Sequence, residues 1–162
     1  MNDYWVIVAD GAQARIMAVE QREGVPARAA VRLVESARLS NPDHTVEGRR
    51  DVRKIKSGRD VGRGRMAPHG YTDKREPHEA EVLRRFASRI AEEAIAVSGK
   101  GSSMVLVADP RMLGLLRTAL KPVAKAWIKV RELAHDYTWC TAPQIRKHLR
   151  ENGLLPEIAA VA

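Results

Sequence analysis

The chain has 162 residues, of which 44% are hydrophobic and 30% are charged, a composition typical of one folded domain. This apolar content excludes a wholly disordered or fibrous chain. Cys140 is the only cysteine, which excludes an internal disulfide and a thiolate metal cluster. No apolar stretch approaches the roughly 20 residues that a membrane-spanning helix needs, and no signal-peptide pattern is present. We therefore expect a cytoplasmic protein without membrane insertion.

The net charge of +8 is concentrated in two blocks. Residues 41–75 hold ten basic and five acidic groups, and residues 110–150 hold nine and two. A concentrated positive field attracts polyanions such as nucleic acid, or an anionic membrane surface. The basic residues of the second block either form another phosphate-binding surface or only occupy the solvent-exposed faces of helices. A basic surface that binds nothing specific is the simpler alternative, and charge alone leaves these choices open.

Apolar patterning predicts three strands at the beginning of the chain. The run Tyr4–Ala9 is nearly all apolar and rich in β-branched and aromatic residues, which is typical of a buried strand. Asp10 and Gly11 indicate a tight turn into a second strand over residues 15–20. A third strand follows over residues 31–39. Because the connections are short, we predict an antiparallel meander.

Residues 40–76 predict a long mobile loop, because they contain five glycines, few large apolar side chains and no regular period. Loops longer than about 12–15 residues are usually functional or disordered. We predict one α/β domain over residues 1–153 that contains this loop, followed by a short tail over residues 154–162. Eight cations lie within 17 positions of the loop: Arg49, Arg50, Arg53, Lys54, Lys56, Arg59, Arg63 and Arg65.

From residue 77 the pattern changes to alternating helices and strands. A helical apolar stripe follows Pro77 and ends before Gly99. The apolar run over residues 104–108 predicts a central strand covered on both faces. Asp109 followed by Pro110 predicts the beginning of a second helix.

Two more elements complete this half. Ile128 and Val130 alternate with basic residues, which predicts a half-buried strand with a basic outer side. Thr141 and Gln144 form a capping-box pattern that predicts a last helix. The order is three strands and then αβαβα, which predicts an α/β fold with a mixed β-sheet: an antiparallel three-strand meander extended by αβ units.

Several motifs resemble one family over nearly the whole chain. Residues 5–16 read Trp-Val-Ile-Val-Ala-Asp-Gly-Ala-Gln-Ala-Arg-Ile, and Pro77-His78-Glu79 precedes the long helix. Residues 110–117 read Pro-Arg-Met-Leu-Gly-Leu-Leu-Arg, and residues 143–149 read Pro-Gln-Ile-Arg-Lys-His-Leu. In this order they resemble the bacterial host attachment protein family, also described as bacterial relatives of the archaeo-eukaryotic peptide-chain release factors. The element order likewise resembles the release-factor central domain and the ribonuclease-H-like class.

The resemblance implies a ribosome-associated role in termination, rescue or dormancy. The release-factor loop carries Gly-Gly-Gln, which this chain lacks, so we expect no peptide-release chemistry and no cofactor. Arginine forks bind phosphates, and glycine lets the backbone approach RNA closely. We therefore predict a non-catalytic protein that binds the ribosome or structured RNA through the eight cations of the basic loop. The family name leaves open a protein-interaction module that acts in attachment to host cells.

A metal-dependent nuclease is the alternative from a different class. Ribonuclease-H-like nucleases gather two Mg²⁺ ions with acidic residues on the first strand, first helix and fourth strand. Asp10, Glu79 and Asp109 occupy comparable positions in this sequence. Each also has a structural explanation, as a turn residue, a helix-start acid and an N-cap. None of the five histidines forms a zinc-binding pair, so no metal site is predicted.

Overall fold

The computed structural model describes residues 4–26, 29–44 and 75–156. Its strands are β1 (Tyr4–Ala9), β2 (Gln13–Gln21), β3 (Val31–Ser40), β4 (Ser103–Ala108) and β5 (Lys129–Ala134). Its helices are α1 (Arg75–Val97), α2 (Pro110–Leu120) and α3 (Ala142–Glu151), and residues 42–44 form a helical turn. The α/β class, the mixed sheet and the three-strand meander predicted from the sequence are confirmed for these residues.

The five strands form one sheet in the order β3-β2-β1-β4-β5. β2 is antiparallel to both β1 and β3, whereas β4 is parallel to β1 and to β5. It follows that β1, β3, β4 and β5 run in one direction and that their carboxyl ends lie at the same side of the sheet. We call the residues that directly follow these four strands the carboxyl edge.

Helices cover both faces of the sheet. α1 and α2 pack on one face, where Phe86 and Leu116 contact the side chains of alternate strand residues such as Ile7. α3 packs on the opposite face through Ile145 and Leu149. The strands β1 and β4, at the centre of the sheet, are buried on both faces, and their sequences are therefore almost entirely apolar.

A β-bulge in β3 changes which face its side chains point to. One extra residue, Ser36, lies opposite the step between Ile16 and Met17 of β2. Before the bulge, Leu33 packs in the core beneath α3, and after it Leu39 packs against the core beneath α1 and α2. An extra residue in one strand reverses the inward and outward alternation beyond it. Both cores therefore receive apolar side chains from the same strand.

The predicted basic outer side of the fifth strand is present, but the predicted inward position of Val130 is wrong. β5 is the outermost strand, and its first three residues, including Val130, are exposed. Leu133 near the other end of β5 is half-buried and packs against the core beneath α3. An edge strand has a neighbour on only one side, so period-two alternation in its sequence does not guarantee burial.

The predicted helix caps are confirmed. Oδ1 of Asp109 accepts hydrogen bonds from the backbone amides of Arg111 and Met112, at 3.0 and 3.1 Å. Thr141 and Gln144 form a complete capping box at the start of α3. These side chains satisfy amide groups that have no partner within the helix.

We predict that Leu116→Ala destabilises the fold by about 2–5 kcal/mol, because Leu116 is fully buried between α2 and the sheet and its truncation leaves a cavity. Urea unfolding followed by circular dichroism measures this change. Thr118→Ala, an exposed position on the same helix, is the control and should shift the free energy of unfolding by no more than about 0.5 kcal/mol. Equal effects of the two substitutions would contradict the packing of α2.

Candidate functional site

Acidic residues follow three strands at the carboxyl edge. Asp10 comes directly after β1, Asp109 directly after β4, and Asp136 two residues after β5. The chain leaves β1 toward β2 on one side and returns to β4 on the other, which places the switch point of the sheet between β1 and β4. In open α/β sheets, ligands bind beyond the carboxyl ends of the strands at such a switch point. The carboxyl edge is therefore the expected position of a ligand-binding site.

The three residues of the nuclease hypothesis have separate surroundings. Oδ1 of Asp10 accepts hydrogen bonds from the backbone amides of Ala12 and Gln13, at 2.7 and 2.8 Å, within the turn from β1 to β2. Asp109 caps α2, and Glu79 is exposed on α1. Within the described ranges, no three His, Cys, Asp or Glu side chains are grouped as a metal site would require. This geometry favours the structural roles of the three acids.

The connection from β5 to α3, residues 135–140, is attached to the turn after β1. We call these residues the aromatic loop. Thr138 is 4% exposed, and its hydroxyl lies 2.9 Å from Oδ2 of Asp10 and 2.6 Å from Oδ1 of Asp136. Oδ1 of Asp136 also accepts a hydrogen bond from the backbone amide of Thr138 at 3.1 Å. One buried hydroxyl thus connects two of the three acidic positions at the carboxyl edge.

A buried arginine holds the other end of the aromatic loop. Nη1 of Arg15 donates to the carbonyl of Cys140 at 2.6 Å, and its Nε donates to Glu35 at 2.8 Å. Arg38 donates two further hydrogen bonds to Glu35, at 2.8 and 3.0 Å. Hydrogen bonds from Arg38 and then Arg15 outweigh desolvation and lower the pKa of Glu35 to about 2. Charges from β2 and β3 therefore position a loop that follows β5.

The aromatic loop carries three rings, of which those of His135 and Trp139 are exposed and that of Tyr137 is half-buried against the core beneath α3. Tyr137 lies between two imidazoles, with ring centroids 5.2 Å from His135 and 4.5 Å from His148 of α3 and interplanar angles of 6° and 10°. Trp139 is 81% exposed. Ring-bearing residues 135, 137 and 139 therefore alternate with residues 136, 138 and 140, which form the hydrogen bonds that hold the loop.

The predicted RNA-binding cations lie outside the described residues, but both flanks of their segment are described. We call residues 45–74 the basic segment. On its N-terminal side, the Asn41 side chain donates to the carbonyl of Gly11 at 3.0 Å, and the His44 ring lies beside Gly11. On its C-terminal side, Leu83 of α1 lies so close that a Cβ on Gly11 would be 3.0 Å from its Cδ2. The chain therefore enters the basic segment near the end of β1, and α1, which follows the segment, passes the same place at Leu83. The eight cations outside the described residues are Arg49, Arg50, Arg53, Lys54, Lys56, Arg59, Arg63 and Arg65.

The second basic block does not form one flat face. Its cations lie on α2, on the connection over residues 121–128, on β5 and on α3, and α2 and α3 cover opposite faces of the sheet. Three of the arginines have structural partners. Arg117 pairs with Glu132 through two hydrogen bonds and lowers the pKa of that carboxyl group. Arg131 donates to the Tyr4 hydroxyl at 2.6 Å, and Arg146 donates to a backbone carbonyl of β3.

Sequence patterns alone missed the aromatic loop as a site. The sequence did not predict the stacking of Tyr137. A signal was present, because aromatic residues (Phe, Trp, Tyr) make up only 4% of the chain, and two of them lie within three positions, at 137 and 139. Tertiary structure was needed to add His148 from α3.

The fold and the edge define a class of protein: a mixed-sheet α/β domain whose carboxyl edge combines a fixed aromatic loop with the flanks of a basic segment. The family described as "Protein required for attachment to host cells" matches residues 5–149. Because this match spans most of the chain, the protein belongs to that family. No curated protein matches the chain significantly. Among the described residues, no helix has the length and apolar character needed to cross a membrane.

We predict that Glu35→Gln lowers stability by about 1–3 kcal/mol at neutral pH, because it leaves Arg15 without a carboxylate partner and solvent screens only part of the pair. The folded-state pKa of about 2 lies below the ordinary value of 4.5. The contribution of Glu35 is therefore complete above pH 4.5 and is lost as the pH falls toward 2.

Urea midpoints measured from pH 2 to 7 test this prediction. The wild type should lose more stability than Glu35→Gln as the pH falls through this window. Glu93→Gln, an exposed carboxylate on α1, is the matched control and should keep the wild-type slope. An unchanged slope in Glu35→Gln would exclude the Arg15–Glu35–Arg38 cluster as a source of acid sensitivity.

We predict that Thr138→Val loosens the aromatic loop, because valine has the same shape but leaves Asp10 and Asp136 without the hydroxyl donor. Loss of a buried donor should destabilise the protein by about 1–3 kcal/mol. Amide hydrogen exchange at residues 138–140 should accelerate. Thr118→Val makes the same change at an exposed position and should leave loop exchange as in the wild type; equal exchange in both variants would refute the anchoring role.

Proposed function

We propose that this domain binds the ribosome or structured RNA through its carboxyl edge and does not catalyse a reaction. The observation that carries the proposal is the convergence of two features at this edge. His44, which directly precedes the basic segment, lies beside Gly11 at the end of β1, and Leu83 of α1, the helix that follows the segment, contacts the same glycine. The aromatic loop is attached to the same turn through Thr138.

The composition of the basic segment matches a polyanion. The basic segment contains nine Lys and Arg residues against four Asp and Glu residues. Arginine binds phosphate with two parallel hydrogen bonds and stacks on unpaired bases. Several phosphate contacts make binding strongly dependent on salt, because each contact releases condensed counterions. An RNA partner therefore predicts a steep salt dependence that a neutral protein partner would not show.

The surroundings of the acids support a binding role. Asp10 and Asp109 accept hydrogen bonds from their own turn and helix start, which accounts for their presence without metal chemistry. The chain lacks Gly-Gly-Gln, the motif that release factors place in the peptidyl-transferase centre. The observed strand order is compatible with the ribonuclease-H-like and release-factor resemblance of the sequence, and that relationship is part of the proposal.

The family description concerns attachment to host cells. A ribosome-associated protein would influence attachment indirectly, through the synthesis of other proteins. A direct protein-interaction module is the second candidate, and the family description is the finding that favours it. The two differ in their dependence on RNA, which sedimentation of a cell lysate measures.

We predict that the protein sediments with ribosomal fractions at low salt and is released at high salt. Replacing Arg49, Arg50, Arg53 and Lys54 by glutamine should weaken this association. The plot of log affinity against log salt concentration should also become less steep by roughly 3, because each lost phosphate contact removes about 0.7 from the magnitude of its slope. Gradient sedimentation with immunodetection of this chain provides the measurement.

A matched control removes the same charge elsewhere: glutamine at the exposed positions Arg111, Lys121, Lys125 and Lys129. This variant should stay with the ribosomal fractions to a greater extent than the basic-segment variant. Absence of the wild type from every ribosomal fraction at low salt would overturn the proposal. Equal release of the two variants would show that total charge, and not the basic segment, determines the association.

A further inference from the structure

We propose that the aromatic loop binds unpaired bases of single-stranded RNA by stacking. The inference rests on the proposed RNA-binding function and names the class of RNA that the carboxyl edge accepts. Its residues are Trp139, exposed at the end of the loop, and the ring stack of His135, Tyr137 and His148.

The ring stack has the geometry of a base-binding platform. Tyr137 stacks with two imidazoles at nearly parallel orientation and is half-buried against the core beneath α3, so the ring surfaces left for a base belong to His135 and His148. His135 is exposed. A planar base adds to the end of such a stack in the offset arrangement that aromatic rings prefer, and proteins that bind single strands use aromatic side chains in this way.

Trp139 supplies a second stacking surface. Its side chain is 81% exposed, although its indole is the largest apolar group of the loop. Trp5, in contrast, lies in the core at 7% exposure. Stacking a base on Trp139 would remove apolar surface from water, with a gain of about 1–3 kcal/mol per base.

The platform is fixed before any ligand binds. Thr138 and Arg15 hold the backbone on either side of Trp139 through buried hydrogen bonds. A backbone that is already ordered loses little entropy on binding, so more of the stacking energy contributes to affinity.

The charges around the loop suit a nucleic acid strand. Lys147 is exposed beside His148 on α3, and the flanks of the basic segment lie at the same edge. Two acids oppose these cations. The Asp136 carboxylate accepts a hydrogen bond from the Thr138 amide and lies 2.6 Å from its hydroxyl, and Glu151 lies 3.8 Å from His148 and 4.0 Å from Lys147. Lys147 would meet a phosphate of the strand, while the rings of the loop contact bases.

Base stacking distinguishes single strands from duplexes. In a duplex the bases are already stacked inside the helix, and proteins recognise double-stranded RNA mainly by shape, phosphates and 2′-hydroxyl groups. The aromatic loop should therefore add affinity for unpaired RNA only. A protein partner that buries Trp139 instead would leave RNA binding independent of this residue.

Fluorescence anisotropy with the full chain tests the inference. The probes are a labelled single-stranded RNA of about 12 nucleotides, within the usual range of single-strand sites, and the duplex of the same sequence at the same salt. We expect Trp139→Ala to weaken single-strand binding about 5- to 150-fold, as one lost stack predicts, and to change duplex binding less than about twofold. Trp127→Ala is the matched control, because Trp127 is also exposed but lies at the opposite end of β5; it should bind like the wild type.

Intrinsic fluorescence gives an independent measurement. In Trp127→Phe the remaining indoles are the buried Trp5 and the exposed Trp139. Unlabelled single-stranded RNA should quench this emission, and additional Trp139→Phe substitution should remove the quenching.

Each other outcome has a distinct meaning. Unchanged single-strand affinity in Trp139→Ala, or an equal loss for single strand and duplex, would overturn the stacking platform and leave the proposed RNA binding standing. Failure of the wild type to bind either RNA at low salt would overturn the proposed function as well. Circular dichroism of each variant before the assay separates loss of binding from loss of fold.

Discussion

The need to bury both faces of the two central strands determines most of this structure. β1 and β4 are continuous apolar runs, so helices must lie on each side of the sheet. Parallel strands connected through such helices have their carboxyl ends together. The same constraint that forms the core therefore brings Asp10, Asp109 and the aromatic loop to one edge.

A second layer of organisation comes from charge. Arg15 is 8% exposed, and a buried guanidinium requires partners because desolvation disfavours it. Glu35 supplies the carboxylate, and the backbone of the aromatic loop supplies carbonyl groups. The bulge at Ser36 turns Arg38 to the same face of the sheet as Glu35, so a second guanidinium binds this carboxylate. Arg15 of β2 thus links Glu35 of β3 to the loop that follows β5.

Particular residues show how far sequence patterns extend. The strand Tyr4–Ala9, the Asp109 cap and the capping box at Thr141 were predictable, since each depends on neighbours within a few positions. Val130 was not, because its burial depends on whether another strand or helix lies beside β5. The candidate site was predicted only as charge. Its cations at 49–65 lie outside the described residues, and its aromatic part was missed.

By itself, the sequence determined the α/β class, the element order, the local caps and the uneven distribution of its +8 charge, because periodicity and composition are local properties. Its motifs also indicated the host attachment family, which the match over residues 5–149 establishes. Only the tertiary structure decided that Thr138 contacts Asp10, 128 positions away, and that His148 completes the ring stack. Such contacts depend on sheet order and helix packing, which arise from the whole chain at once. For the same reason the second basic block is divided between the two faces of the sheet instead of forming one face.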